Sequence, residues 1–453
     1  MTDPLDFDPN VKPRTPSSAV LVVWLMGIGT GVFGALIVRK LSPNPSEADV
    51  AQYRAVRNFA QASFVRELSD QEILDRAMEG FTRSLDDYSR YYDADSAAEL
   101  DRETAGRYAG LGALFSLIDG ERRVLFPLPE SPAKRAGLWI GDSVLEVDGE
   151  SVAGLDDQTF HDLLQSRPGE VRELHLRSLE GVERTVEITP ESLLDPSIRQ
   201  FHMVDAERGL AYLSIHSFSR ETAREFDAAW AYLEHEGATS LVIDLRGNLG
   251  GVLDAAVAIA RRFIPSGVIV STEGRLEVEI ERGIEGHATL QGLPLVVLVD
   301  EHSASASEVL AGALQDHRVA VLVGAPTFGK GMVQTIRRFP DSGTRAKITS
   351  AHYYSPSHRN FERSSEGRDY GIRPDVEVEI TEREKATART HSARYGPPVE
   401  ARADLAAWEA ELGETLVEPL PDDAQLRAAF LLLAGKRPTA LALYTAPAKG
   451  QAE

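Results

Sequence analysis

The sequence predicts an α/β core joined to a smaller β-rich module, with helical segments at both ends. Three observations predict it. Residues 208–375 alternate short apolar runs with amphipathic stretches, as a buried sheet covered by helices does. Residues 104–190 hold short alternating runs split by turn pairs such as Asp119-Gly120, Asp148-Gly149 and Glu180-Gly181. The stretch from Glu47 to about Leu100 carries apolar residues at helical spacing, and the chain after Glu382 is Ala- and Glu-rich.

At 453 residues the chain has room for about three domains. Hydrophobic residues are 43% and charged residues 26%, which excludes a wholly disordered or fibrous chain. The 48 basic and 70 acidic residues leave a net charge of −22. That balance excludes nucleic acid as the main partner, because phosphate binding needs a basic surface. No cysteine is present, so disulfides, thiolate nucleophiles and cysteine-ligated metals are excluded. The compartment stays open on that count.

In chain order, Ala19–Val38 is an uncharged stretch long enough to cross a ~30 Å hydrocarbon core. A long, acidic preceding segment and the immediate Arg39 and Lys40 favour an uncleaved anchor over a signal peptide. Lys12 and Arg14 balance Arg39 and Lys40, so charge does not set its orientation. Gly27 and Gly31 form a GxxxG that suits helix pairing, although small residues are common in such helices anyway. After a linker at 41–46, Val56, Phe59, Phe64, Leu68, Ile73, Leu74 and Phe81 follow helical spacing, with Ser69 as a helix start. In the β-rich module the strands are Ala113–Ile118, Arg123–Phe126, Ser143–Val147, Leu174–Arg177 and Thr185–Ile188, with one helix at about Gln158–Gln165. The core alternates the strands Leu210–Ile215, Ser240–Leu245, Pro294–Asp300 and Val319–Gly324 with helices at Thr222–His235, Leu253–Phe263 and about Ser305–Gln315.

Several catalytic signatures are absent. There is no GxSxG, and His235-Glu236 lacks the second histidine of a zincin helix. Gly110-Leu111-Gly112 lacks the third glycine of a dinucleotide loop and precedes a strand. Gly324–Lys330 matches GxxxxGK after a strand, but Gly331 stands where a magnesium-binding hydroxyl is needed, and MVQTIRRF then alternates like a strand. The stronger reading combines SASASE (Ser303–Glu308), Lys330 and RGNLGG (Arg246–Gly251). The helix from Ser305 runs out ~16 Å and the strand Val319–Gly324 returns ~20 Å, so Lys330 comes back beside the helix start. A lysine pushed towards neutrality by burial and by the helix dipole can take a serine proton. The glycines at 247–251, with the Ala306 N–H, would form an oxyanion hole. Against this stand the ordinary roles of glycine-flanked lysines as loop residues and of serines as helix caps.

These residues resemble a known family. SASASEVLAGALQDHRVAVLVGAPTFGKGMVQ (Ser303–Gln334), LVIDLRGNLGG (Leu241–Gly251) and SPAKRAGLWIGDSVLEVDGESVAGL (Ser131–Leu155) are similar to the carboxy-terminal processing peptidases. SLDDYSRYY (Ser84–Tyr92), HYYSPSHRNF (His352–Phe361) and GIRPD (Gly371–Asp375) fit the same pattern, so the match covers about residues 46–380. The resemblance implies a crotonase-like α/β serine peptidase core with an inserted PDZ domain. With the anchor read from the sequence itself at 19–38 and an N-terminal tail at 1–18, the matched part begins with a helical N-terminal domain at 46–103. The resemblance puts the PDZ domain at 104–190, the peptidase core at 191–382 and a C-terminal helical segment at 383–453. It implies Ser305 as nucleophile, Lys330 as general base, Gln334 in support, and Asp316 as a supporting acid. Ala306 with Gly250 or Gly251 would form the oxyanion hole.

By the same resemblance, the loop Tyr108, Ala109, Gly110, Leu111 and Gly112 would capture a substrate's terminal carboxylate through backbone N–H groups. Ser303 and Ser307 read as turn or cap residues, and Asp316, Gln334 and the Tyr108–Gly112 loop each have an ordinary structural reading as well. Two departures stand out. Leu249 replaces a frequent proline, and Gln165-Ser166-Arg167 replaces an Arg-Gly pair that some members carry near the end of the PDZ helix. The expected partners are protein substrates with accessible C-termini and a membrane, without metal, cofactor or nucleic acid. Homodimerisation through the helical ends is a further option. The expected placement is a single-pass inner membrane protein with its catalytic part periplasmic or extracellular. A catalytically inactive PDZ scaffold on the same fold is the alternative.

Overall fold

The computed structural model describes residues 47–435, apart from 165–168, 276, 364–369 and 418. The chain divides into two compact units at Met78 and Glu79. In the first, the helix Glu47–Ser63 is tied back by Arg57 and Gln61, which donate to Asp70 at 2.6 and 2.8 Å. Ser69 caps the next helix, Asp70–Arg83, by accepting the Glu72 N–H.

The second unit is built on a six-stranded sheet in the order Ile198–Asp205, Leu210–Ile215, Ser240–Asp244, Leu295–Val299, Val321–Gly324 and Val376–Glu377. Its first pair is antiparallel and the others are parallel. Both faces are covered, which is why these strands read as unbroken apolar runs. Leu241, Ile243, Val297 and Val299 point to the face packed by the helices Thr222–His235, Leu253–Phe263 and Ala306–Asp316. Val242, Val296 and Leu298 point to the other, where the helix Ala424–Leu433 supplies Leu426, Ala428 and Ala429. The helical tail is thus one cover of the core sheet. A second sheet holds Arg90–Tyr92, Thr344–Tyr354, Val268–Gly274 and Val278–Arg282 in that order, with Met332–Phe339 paired on Thr344–Tyr354.

The β-rich module hangs from a two-stranded stalk, Arg107–Gly110 antiparallel to Glu191–Leu194. Its sheet orders Ala113–Ile118, Glu121–Pro127, Ser143–Val147, Arg172–Arg177 and Glu183–Ile188. Val124, Val144, Val147, Leu174 and Leu176 fill its core, alternating as half-buried strands require. Ala113–Ile118 is an edge strand, and its Phe115 meets Phe160 of the helix Asp157–Leu164 edge to face at 5.4 Å. On the module's other side, Leu405 and Trp408 of the helix Arg402–Leu412 pack with Ile118 and Phe126.

The expected membrane placement is corrected here. No helix among the described residues is long and apolar enough to cross a membrane. The longest, Glu47–Ser63, has 17 residues, about 25 Å at 1.5 Å per residue, and carries Glu47, Asp49, Arg54 and Arg57. The expected anchor, Ala19–Val38, lies outside the described residues, as do Gln165, Ser166 and Arg167. A single-pass inner-membrane protein with an outward-facing catalytic part is therefore not supported.

Candidate active site

Three neighbouring parallel strands, Ser240–Asp244, Leu295–Val299 and Val321–Gly324, end on the same edge of the sheet. Their following loops therefore converge, as crevices at the carboxyl ends of such sheets do. The loops are laced together. Asn248 O accepts the Ala304 N–H and the Ser307 hydroxyl, each at 3.0 Å. Ser303 Oγ donates to Leu245 O at 2.9 Å, and its own carbonyl accepts the Phe328 N–H. Asp300, buried after its strand, accepts the Gly247 N–H at 2.9 Å.

Ser305 opens the helix Ala306–Asp316 with φ +57° and ψ −115°. A residue with a Cβ in that region carries on the order of 1–3 kcal/mol of strain. The strand, strained turn and helix reproduce the mechanics of a nucleophile elbow without its glycine motif. Close approach explains the missing side chain opposite: a Cβ on Gly250 would lie 2.6 Å from Ala304 O and 2.8 Å from the Ser305 Cβ. Ser305 is buried, and the nearby Tyr353 phenol is pushed up to about 12 by its own burial.

The strain is held by Glu308. This carboxylate is fully buried and accepts four donors: Ser305 N–H and Lys330 N–H on Oε2, both at 2.8 Å, with Gly329 N–H at 2.7 Å and the Thr327 hydroxyl at 2.6 Å on Oε1. Burial raises its pKa while those donors work the other way. Three of them are N–H groups that cannot accept a proton, so the set suits the ionised form. Because one oxygen serves both residues, the Ser305 and Lys330 nitrogens lie no further apart than two such bonds, about 5.6 Å.

The Lys330 side chain is half-buried, and burial, followed by the Lys347 charge, lowers its pKa below the usual lysine range. Glu362 and Glu308 oppose that shift. Its ammonium sits 5.1 Å from the centre of the Tyr88 ring. Tyr88 is fixed by an Asp86 turn, in which the carboxylate accepts the Tyr88 and Ser89 N–H groups at 2.7 Å each. Ser89 Oγ in turn accepts Thr349 N–H. The segment Ser84–Tyr92 thus supplies an aromatic face to the lysine.

The other sequence-derived residues fall in different places. Gln334 lies two residues into the strand Met332–Phe339, and its amide donates to Met332 O at 3.2 Å. Asp316 ends the helix that Ser305 begins, a rise of about 16 Å away. There it accepts Ser357 N–H, Ser357 Oγ and Arg359, anchoring the loop after the strand Thr344–Tyr354. The Ala306 N–H is at the first helical position, without an intrahelical partner. The Gly250 N–H is engaged by Asn248 Oδ1 at 2.8 Å. The bridge between Phe218 and Gly251 uses the Phe218 and Val252 N–H groups, leaving the Gly251 N–H on the other side.

Of the five loop residues, Tyr108, Ala109 and Gly110 belong to the stalk, and only Leu111 and Gly112 make the turn into the edge strand. Burial pushes the Tyr108 phenol up to about 12, consistent with that stalk position. Gly112 has φ +75°, and a Cβ there would meet Ser131 Cβ at 2.3 Å.

Two features escaped the sequence reading. Glu308 had a signal, since Ser-x-x-Glu before an apolar run is a capping box. The other is a buried ion network behind the site. Arg246 donates to Asp244 at 2.8 Å, to Asp423 at 2.9 Å and to Gln425 at 3.1 Å, and the Tyr212 hydroxyl donates to Asp244. Asp423 is 177 positions away from Arg246, so nothing local announces it. Asp300, Glu301 and His302 bring three ligand-type atoms within 4.8 Å, but Asp300 already accepts backbone N–H groups.

Comparison with known proteins bears on this geometry. The model of peptidase family S41 matches residues 209–378, and the PDZ domain model matches residues 127–178. The chain is 31% identical over 405 residues to the carboxy-terminal-processing protease of Bartonella bacilliformis, covering 85% of this chain and 88% of that one. It is 29% identical over 326 residues to the carboxy-terminal processing protease CtpA of Bacillus subtilis, covering 71% and 67%. Among solved structures, a photosystem II D1 C-terminal processing protease aligns at 28% identity over 70% of this chain and 85% of that chain, with a TM-score of 0.42.

Proposed function

The chain belongs to peptidase family S41, as a serine peptidase carrying a PDZ domain, and we propose that it cleaves proteins captured by their C-terminal tails, with Ser305 as nucleophile and Lys330 as general base. The observation that carries this is the shared Glu308 oxygen, which holds the backbones of both residues at one point.

In the proposed reaction, neutral Lys330 Nζ takes the Ser305 Oγ proton as Oγ bonds the scissile carbonyl carbon. The carbonyl electron pair moves onto oxygen, facing the Ala306 and Gly251 N–H groups, because Asn248 already occupies the Gly250 N–H. Collapse restores the carbonyl and breaks the C–N bond, while the Lys330 ammonium returns its proton to the leaving amine. Water, deprotonated by Lys330, then opens the acyl-enzyme by the same steps. For this the Lys330 head leaves the Tyr88 ring and turns to Ser305. Gln334 supports the turned lysine once its own amide leaves Met332 O.

Tail capture falls to the turn Leu111–Gly112 and the free edge of Ala113–Ile118, which offers unpaired N–H groups to an added strand. The parallel strands covered by helices on both faces support a crotonase-like core at 191–382, with the PDZ module at 104–190. Val56 and Phe59, exposed on the helix Glu47–Ser63, support a homodimer through that helix; a monomer at micromolar concentration by sedimentation would remove that reading. The main test compares cleavage of an unfolded, tailed substrate by wild type, Ser305→Ala and Lys330→Ala. Both variants lose at least 10³-fold in kcat, and undiminished turnover in Ser305→Ala would sink the assignment.

A further inference from the structure

We propose that the groove between the PDZ module and the helix Arg402–Leu412 docks a basic, apolar peptide segment of a partner protein. The groove has a volume of about 600 Å³, within the range of cavities that bury ligands or anchoring side chains. Its walls come from the PDZ segment 127–140 with the Leu179 turn and from the C-terminal helix with the residues leading into it, so a bound segment touches both. The floor is apolar, with Pro127, Ile140 and the buried Trp408. Trp139 lines the groove and is 60% exposed, an anchor-type side chain.

The rim decides the chemistry of the occupant. Glu130, Glu400, Asp404 and Glu411 line it, all exposed, and none has an ion-pair partner among the described residues. The only cation in the lining is Lys134, whose ammonium already lies 5.0 Å from the centre of the Trp139 ring. Four carboxylates against one lysine repel an anionic C-terminal tail and attract arginine or lysine side chains. Aromatic and proline surface adds a place for aliphatic stems and for guanidinium stacking on Trp139. This surface therefore complements the tail groove. None of its lining residues belongs to the edge strand Ala113–Ile118 or the helix Asp157–Leu164, and it selects the opposite charge. The proposal does not depend on which residues perform the hydrolysis.

The test uses full-length Ser305→Ala protein, so that the probe survives. The probe is a labelled, N-acetylated and C-amidated peptide of alternating arginine and leucine, which has no carboxylate for the PDZ turn to capture. Binding is followed by anisotropy at physiological ionic strength. The triple variant Glu400→Lys, Asp404→Lys, Glu411→Lys is expected to weaken binding at least tenfold, and Trp139→Ala at least threefold. If the reversals lower Tm, the neutral set Glu400→Gln, Asp404→Asn, Glu411→Gln is read instead, with at least threefold weakening expected. A distant set with the same charge change, Glu277→Lys, Glu279→Lys, Glu285→Lys, should stay within twofold of the parent.

Equal weakening by both reversal sets would reduce the effect to net charge and overturn the proposal. So would equal binding of a peptide with glutamate in place of arginine, or no binding at millimolar peptide. Self-association of the protein that disappears in the groove variants would assign the groove to a second copy, and that too overturns it.

Discussion

Replacing Glu308 with glutamine tests whether one buried carboxylate sets the geometry between Ser305 and Lys330. The wild-type group accepts four donors at 2.6–2.8 Å. An amide has one acceptor oxygen. Turning that oxygen to Ser305 and Lys330 keeps both N–H bonds, and the amide NH2 then faces Gly329 N–H and the Thr327 hydroxyl. The hydroxyl can accept from the amide, but the Gly329 N–H is orphaned, at about 1–3 kcal/mol. The two retained bonds lose their charge assistance and about half their strength. A Tm lowered by roughly 3–10 °C follows. The proposed catalytic pair loosens as well, and a misplacement near 1 Å costs about 10²-fold in kcat.

The pH profile separates positioning from plain destabilisation. Glu308 holds the Lys330 pKa up, so losing its charge moves the alkaline rise in kcat/KM to lower pH. The assay is cleavage of an unfolded tailed substrate across pH 6–10, with Tm recorded in parallel. A kcat within threefold of wild type at temperatures where the variant is folded would refute the reasoning. So would a kcat loss with an unmoved pH midpoint.

Further expectations follow from neighbouring contacts. Activity rises with pH as Lys330 loses its proton, with a midpoint below 10.5, the ordinary lysine value. Lys347→Ala removes a like charge and should move that midpoint up, whereas Glu362→Gln removes an opposite charge and should move it down, each by a few tenths to about one unit; shifts of the reverse sign in pH–rate profiles would contradict this. Gly250→Ala places a Cβ 2.6 Å from Ala304 O, so the serine turn must shift, and at least a 10²-fold loss of kcat is expected by steady-state kinetics. Asp423→Ala leaves Arg246 buried with fewer partners, which should cost about 2–4 kcal/mol in chemical unfolding; a cost under 0.5 kcal/mol would mean that the C-terminal helix is not held through this ion network.

Much of the core was legible because its strands are short and buried on both faces. Leu210–Ile215 and Ser240–Asp244 emerge within a residue of their apolar runs, and the module strands Ala113–Ile118 and Ser143–Val147 coincide with theirs. Val268–Gly274, Val278–Arg282 and most of Thr344–Tyr354 were not seen: the first turns polar after Val270, the second alternates over only five residues and is largely exposed, and the third mixes polar and apolar residues. The Ser305 and Lys330 approach was legible from out-and-back lengths alone. What holds it was not, since Glu308 reads as a helix cap and Asp423 belongs to a tail with no local link to Arg246. Asp316 lies at the far end of the helix, matching its ordinary structural reading, and that distance from Ser305 was computable from the same 1.5 Å rise.

The site divides into a stiff frame and a movable head. The frame combines three unfavourable elements: the left-handed φ at Ser305, a carboxylate buried without an ion-pair partner, and a half-buried lysine. The Glu308 bonds offset the first two together, so weakening them releases both at once. Among the described residues no hydrogen bond holds the Lys330 head. Its ring contact with Tyr88 is worth about 0.5–2 kcal/mol, less than one well-placed hydrogen bond to a charged group. In the proposed reaction the Lys330 head gives up its proton and leaves the ring, about a backbone N–H already bonded to Glu308. In the proposed mechanism the turn of Lys330 accompanies substrate binding, while the Glu308 frame, with its bonds to the Ser305 and Lys330 N–H groups, keeps its place.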